Sequence, residues 1–236
     1  MRADPQLYAS GLGDRLIDAA RYPSDIQAFL ISELTLLGTF VDKFSRLVEV
    51  GAMEGRHLDW AIEHNKEYLG IDATKKFVDT GTKGMRARGL DRNRYCLLHG
   101  RAEELHHLAQ LRDRGRSPLI FFPFNSIGNM EVLSEVLRSL AELRYPFFIS
   151  TYTTSSESTL ARSTYYENCG FDGLSQRTDD KSILFQSNDG LSSKAFRQEF
   201  FLETCSNVSL AVRSVALGRI GVAYISPELC IHGASL

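Results

Sequence analysis

The sequence predicts an α/β fold: a mostly parallel sheet of seven strands with helices on both faces and a helical cap ahead of the first strand. Three observations predict it. Short apolar runs alternate with helix-period segments between residues 46 and 151. The connections between these elements are short, as right-handed βαβ units require. Two late runs, Val208–Val215 and Ile220–Ile225, flank a hairpin-like turn at Leu217-Gly218-Arg219 and read as an antiparallel edge.

The elements follow in order. Residues 13–40 read as helical, because Ile26, Phe29, Leu30, Glu33, Leu34 and Leu37 recur at helical spacing behind a capping Ser24-Asp25, and Gly38 ends or bends the helix. Strands are expected at Arg46–Val50, Tyr68–Ile71, Tyr95–Leu98, Leu119–Phe122 and Pro146–Thr151. Helices are expected up to about Glu63, over Lys75–Arg88, over Ala102–Leu111 and over Met130–Leu143. Beyond Thr151 the rhythm breaks. Ser155–Asn168 reads as a polar helix ending near Tyr165-Tyr166, Ser182–Gln186 as an extra strand and Ala195–Cys205 as a helix. No linker, repeat or low-complexity segment interrupts the chain, so residues 1–236 read as one domain. Its parts are a cap (1–45), a core (46–151), a lid-like insertion (152–195) and a C-terminal part of the sheet (196–236).

Composition excludes several classes. The chain is 43% hydrophobic and 24% charged with a formal net charge of −2, an ordinary globular balance. No basic stripe suggests nucleic acid, and the cluster Arg86, Arg88, Arg92 and Arg94 reads as a solvated helix end rather than a phosphate site. The cysteines Cys96, Cys169, Cys205 and Cys230 form no CxxC pair and read as free thiols of a reducing compartment. His106 and His107 are sequential and diverge on a helix, so no metal is expected. Met1-Arg2-Ala3-Asp4-Pro5 lacks a signal-peptide core, and no apolar run approaches the ~20 residues that span a bilayer; a cytoplasmic location is expected.

Four segments carry the chemistry. Val48-Glu49-Val50-Gly51-Ala52-Met53-Glu54-Gly55 runs from a strand through glycines into a helix, where backbone can approach a ligand closely. No Lys-Ser or Lys-Thr follows, and Glu49 suits a cationic ligand better than a phosphate. Tyr68-Leu69-Gly70-Ile71-Asp72-Ala73 ends a strand in a carboxylate roughly 20 residues on, either a ribose acceptor or a cap for the next helix. His99-Gly100-Arg101-Ala102 and Phe122-Pro123-Phe124-Asn125-Ser126-Ile127-Gly128-Asn129 follow the third and fourth strands, where open α/β sheets bind ligands.

In order and spacing the four segments resemble the S-adenosylmethionine (SAM) binding motifs of Rossmann-like methyltransferases, over about residues 46–151. The resemblance implies SAM as the small-molecule ligand, with Glu49, Gly51 and Gly55 around its methionine part, Asp72 on the ribose, and Gly100, Arg101 and Ala102 near the adenine. Ala73, Phe122 and Asn125 join them as ligand contacts. Phe124, Asn129 and the Tyr165-Tyr166 pair further resemble the active-site pattern of azetidine-2-carboxylic acid synthases, methyltransferase-like SAM cyclases of nonribosomal-peptide pathways. That implies Phe124 and Tyr165 at the sulfonium and folded chain, Asn129 and Tyr166 at the α-amine, and methylthioadenosine as coproduct. A small-molecule methyltransferase is the alternative. Each residue also has a plain structural reading: Phe124 as core, Asn129 as a helix N-cap, Tyr165 or Tyr166 as helix packing, Trp60 as core. A homodimer is compatible with the sequence; nucleic acid and membrane are not expected partners.

Overall fold

The computed structural model describes Leu7, residues 11–112 and residues 116–229. Seven strands form the main sheet: β1 (Arg46–Val50), β2 (Glu67–Asp72), β3 (Tyr95–His99), β4 (Pro118–Phe122), β5 (Phe147–Tyr152), β9 (Arg213–Leu217) and β10 (Gly221–Ile225). Their order is β3-β2-β1-β4-β5-β10-β9. The first five pair in parallel, with Leu47 opposite Tyr68 and Leu119, and β10 pairs antiparallel with both β5 and β9. β1, β4, β5 and β10 are buried along their whole length, as strands covered on both faces must be. A second, antiparallel sheet of three strands, β6 (Ser175–Thr178), β7 (Ser182–Gln186) and β8 (Ser192–Phe196), lies between β5 and β9 in the chain.

Alternation along each strand sends neighbouring side chains to opposite layers. Leu47, Tyr68, Leu119, Phe121 and Phe148 pack with α1 (Ser24–Thr39), α2 (Leu58–Glu63), α3 (Lys75–Ala87) and α5 (Ser156–Asn168). Val48, Leu69, Ile120, Phe122 and Ile149 pack with α4 (Leu133–Leu143), α6 (Gln198–Asn207) and the turns at 102–111. This split decides which candidate residues can reach a site at the strand ends.

The local departures have physical reasons. Residues 13–40 are not one helix: 3-10 turns Leu12–Ile17 and Ala19–Arg21 precede α1. Pro23, not Ser24, holds the N-cap position, without a side-chain cap bond, because its ring presets the helical entry. Within α1 Glu33 is buried and Leu34 is exposed, the reverse of their polarity. Ala102–Leu111 is two 3-10 turns rather than an α-helix. There the His106 N–H donates to Ser139 Oγ on α4 (3.0 Å), a tertiary bond in place of a helical one. Residues 195 and 196 belong to β8, drawn into pairing with β7 through Ala195 opposite Ile183, and α6 begins only at Gln198. The strand read from Val208 begins at Arg213. Cys96 is half-buried, Cys169 and Cys205 are buried, and all three are free; Cys230 lies outside the described residues. No described helix is long and apolar enough to cross a membrane.

Candidate active site

The carboxyl ends of β1 to β5 open into a cavity of about 290 Å³, at the small end of the range for small-molecule sites. Gly51, Asp72, Ala73, Gly100, Arg101 and Ala102 line one part of it. Phe124, Asn125, Asn129, Tyr165 and Tyr166 line the other. Leu16 and Ile17 of the N-terminal turns, and Ser193 of β8 with Leu191 just before that strand, also line it. Eleven of the fourteen residues singled out as catalytic or ligand-binding line this cavity.

Asp72 is a clasp. One carboxylate oxygen accepts from the Met53 N–H (2.8 Å) and the other from the Thr74 N–H (2.7 Å). It therefore ties the glycine loop to the end of β2, and Met53 is held there at φ +50. Each oxygen keeps a second lone pair for a ligand hydroxyl. Burial outweighs the two amide bonds and raises the Asp72 carboxyl above its ordinary value. Thr74 occupies the N-cap position of α3, so Asp72 serves the loop and not the cap. Gly51 sits at φ +81, where a Cβ would stand 2.9 Å from Ser126 Cβ. The glycine loop thus packs against the turn after β4.

That turn is bent sharply. Phe124 (φ +44) and Asn125 (φ +59) are both left-handed, a costly conformation for non-glycine residues. Two contacts over-determine it. The Phe124 N–H donates to Glu33 Oε2 of α1 at 2.6 Å. The Asn125 amide donates to Ser193 Oγ and the Lys194 carbonyl, both at 3.1 Å, while its oxygen accepts from the Thr151 hydroxyl at 2.5 Å. Asn125 is therefore fully bonded and acts as a peg between the two sheets. Asn129 ends the 3-10 turn Ser126–Asn129, and Val132 caps α4. The N-cap reading of Asn129 does not hold, and its side chain has no hydrogen bond among the described residues.

The inner end of the cavity is aromatic. The Phe124 ring lies 5.8 Å from Tyr165 and 6.1 Å from Tyr152, and Tyr165 lies 5.1 Å from Tyr166. The Tyr165 hydroxyl donates to the Leu16 carbonyl at 2.5 Å, fastening α5 to the N-terminal turns. Tyr166 shares a hydrogen bond of 2.9 Å with Ser193 Oγ. The Tyr152 hydroxyl is buried with no hydrogen-bond partner among the described residues. Burial pushes the Tyr152 and Tyr165 hydroxyls well above their ordinary values, so both remain neutral phenols.

Three candidates do not line the cavity, each for a reason of geometry. Glu49 shares the parity of Leu47 and points into the α1–α2–α3 layer. There it accepts from Tyr68 (2.5 Å) and the His57 backbone N–H (3.0 Å), and meets His57 Nδ1 at 2.7 Å. Burial first, and then the Glu49 charge, push the Tyr68 hydroxyl well above its usual value. Phe122 points the other way into the α4 layer and is fully buried. Gly55 (φ +101) turns the chain into α2 and faces Met85 and Leu58. Trp60 is half-buried and stacks on His64 (4.1 Å). Arg88 pairs with Asp59 (2.5 Å) on the surface, as its solvated reading expects.

Sequence reasoning missed Glu33, His57, Arg56, Tyr152 and Ser193. Glu33 had a signal: it interrupts the apolar stripe of α1 between Phe29 and Leu37. Its Oε1 is buried 4.0 Å from His57 Nε2, which extends the Glu49–His57 pair into the cap. The others gave none: only the fold brings Arg56, Tyr152 and Ser193 to the cavity and His57 to Glu49. At the mouth, Arg101 is held by Glu131 (2.8 Å) and Glu103 (3.5 Å). Among the described residues no group of three His, Cys, Asp or Glu side chains converges as a metal site.

The strand order, with β10 antiparallel inside an otherwise parallel sheet, and the cavity at the strand ends define a Rossmann-like methyltransferase fold. Solved structures share it. A SAM-dependent methyltransferase from Clostridium acetobutylicum matches with 12% identity and a TM-score of 0.57, covering 93% of this chain and 97% of the other. The 1,6-didemethyltoxoflavin N1-methyltransferase of Burkholderia thailandensis, solved with bound 1,6-didemethyltoxoflavin and S-adenosylhomocysteine, matches with 12% identity and a TM-score of 0.58, covering 94% and 86%. The [4+2]-cyclase SpnF matches with 15% identity and a TM-score of 0.51, covering 79% and 59%. No protein-family profile and no curated protein sequence matches the chain.

Proposed function

We propose that this chain is a SAM-dependent enzyme that cyclises SAM to L-azetidine-2-carboxylic acid and releases methylthioadenosine. The observation that carries the reading is the composition of the inner cavity. The aromatic rings of Phe124 and Tyr165 line the same cavity as the neutral polar groups of Asn129 and Tyr166, and the Tyr165 hydroxyl ties this wall to the N-terminal turns. In the reaction the lone pair of the neutral α-amine attacks the γ-carbon. The carbon–sulfur bond breaks with its electrons going to sulfur, and the ring nitrogen keeps its two protons as the ammonium of the zwitterionic product.

Each wall has a task. Asp72, beside Gly51 and the loop it clasps, accepts from the ribose hydroxyls. Gly100, Arg101 and Ala102 flank the adenine. The faces of Phe124 and Tyr165 stabilise the sulfonium by cation–π attraction, about 0.5–2 kcal/mol. Asn129 and the Tyr166–Ser193 pair orient the amine, and alignment of an intramolecular nucleophile supplies several kcal/mol of barrier lowering. The cap excludes water and methyl acceptors.

A small-molecule methyltransferase is the second reading, favoured by the fold, on which an N-methyltransferase and a cyclase both occur. One experiment separates the two. The pure protein is incubated with SAM alone and the products are read by mass spectrometry. Methylthioadenosine with azetidine-2-carboxylate supports the cyclase. No turnover alone, with S-adenosylhomocysteine formed on adding an acceptor, overturns it in favour of the methyltransferase. In a cyclase, Tyr166→Phe and Asn129→Ala lower turnover more than SAM affinity, Asn129→Ala by roughly tenfold to a thousandfold. Parent rates in both variants remove these residues from the chemistry.

A further inference from the structure

Five charged side chains line the cavity: Arg56, Asp72, Arg101, Glu103 and Glu131. Four are answered by the protein itself. Asp72 is bonded by two backbone amides, and Arg101 is paired with Glu131 and Glu103. Arg56 is different. Among the described residues no carboxylate stands within ion-pair distance of it. Its guanidinium instead lies over the Phe124 ring, 4.5 Å from the centroid, and near the Tyr22 hydroxyl, which burial pushes above its ordinary value against the opposing pull of the Arg56 charge. A nearby cation, Arg162, does not substitute for it: Arg162 is fully buried behind Tyr152 and Tyr166 and donates to the Ile183 and Ser193 carbonyls.

We infer that Arg56 is the specificity residue for a free α-carboxylate on the ligand. The inference rests on the proposed use of SAM. A planar guanidinium suits a carboxylate because it donates two parallel bonds, and the aromatic face of Phe124 fixes its plane. Arg56 follows Gly55 at the entry to α2, next to the glycine loop, so it stands where the amino-acid end of a ligand held by Asp72 would reach. It also shares Phe124 with the sulfonium. A guanidinium on that ring repels a second cation, and a bound carboxylate cancels the repulsion. The pocket therefore selects a zwitterionic amino-acid end carrying a sulfonium over a nucleoside without one.

The test is calorimetric titration of the parent, Arg56→Met and Arg56→Lys with SAM, S-adenosylhomocysteine, decarboxylated SAM and methylthioadenosine. The first two ligands carry the carboxylate and the last two lack it. Arg56→Met should weaken SAM and S-adenosylhomocysteine by roughly ten- to a hundredfold, and leave the other two within about twofold. Arg56→Lys, which keeps charge without the fork, should fall between. If Arg56→Met weakens all four alike, or none, the assignment of Arg56 is overturned while SAM use stands. If the parent binds none of the four, both fall together.

Discussion

Replacement of Asp72 by alanine tests the part of the site on which the rest hangs. The carboxylate receives two backbone N–H groups, Met53 at 2.8 Å and Thr74 at 2.7 Å, from loops that follow different strands. Hydrogen bonds to charged acceptors contribute about 1.5–3 kcal/mol each. The desolvation that raises the Asp72 carboxyl opposes them, so the net loss on Asp72→Ala should lie near 2–3 kcal/mol, with two amides left short of a partner. Asp72→Asn keeps one good acceptor and should lose about half as much. Urea unfolding with an unchanged slope measures this term. Calorimetry on the folded variant measures the second: SAM affinity should fall by a further ~1.5–3 kcal/mol, because ribose hydroxyls lose a charged acceptor. A stability within 0.5 kcal/mol of the parent would refute the clasp. A destabilised but folded variant that binds SAM as the parent does would refute the ribose role.

Three further outcomes are expected. Gly51→Ala, at φ +81 with Ser126 Cβ 2.9 Å from the new atom, should cost about 1–3 kcal/mol of stability and weaken SAM binding, since left-handed strain adds to the clash; unchanged melting and binding would show that the loop can yield. Hydrogen exchange over residues 12–39 and 156–168 should slow on adding SAM. These segments are joined by Tyr165 to the Leu16 carbonyl, by Arg21 to the Asn168 carbonyl (2.7 Å) and by Arg15 to the Gly170 carbonyl (3.0 Å); equal exchange with and without ligand counts against closure. Burial raises the Cys169 thiol to about 11 and the Cys205 thiol to about 12, so at pH 8 roughly one in 1,000 and one in 10,000 are thiolate. Raising the pH toward these values increases reactivity. Iodoacetamide on the native protein at pH 8 should modify half-buried Cys96 before either, and faster labelling of Cys169 or Cys205 would contradict their burial.

The sequence by itself determined the parallel half of the sheet. The runs at 46, 68, 95, 119 and 146 could be read because strands covered on both faces must be apolar throughout, and glycine or Asp at their ends is a local chemical signature. It also placed Gly51, Asp72, Gly100 and the turn after β4 at one rim, because parallel strands bring their carboxyl ends together. Tertiary structure alone decided the rest. Whether Glu49 and Phe122 face the cavity depends on strand parity and on which layer each face meets. Phe124 and Asn125 adopt left-handed backbone only because Glu33, 91 residues away, and Ser193, 68 residues from Asn125, hold them there. β8 replaced a helix start because pairing with β7 outweighed local preference. Among the described residues Arg56 is left without a carboxylate by the arrangement of its neighbours, and no local pattern announces such a charge.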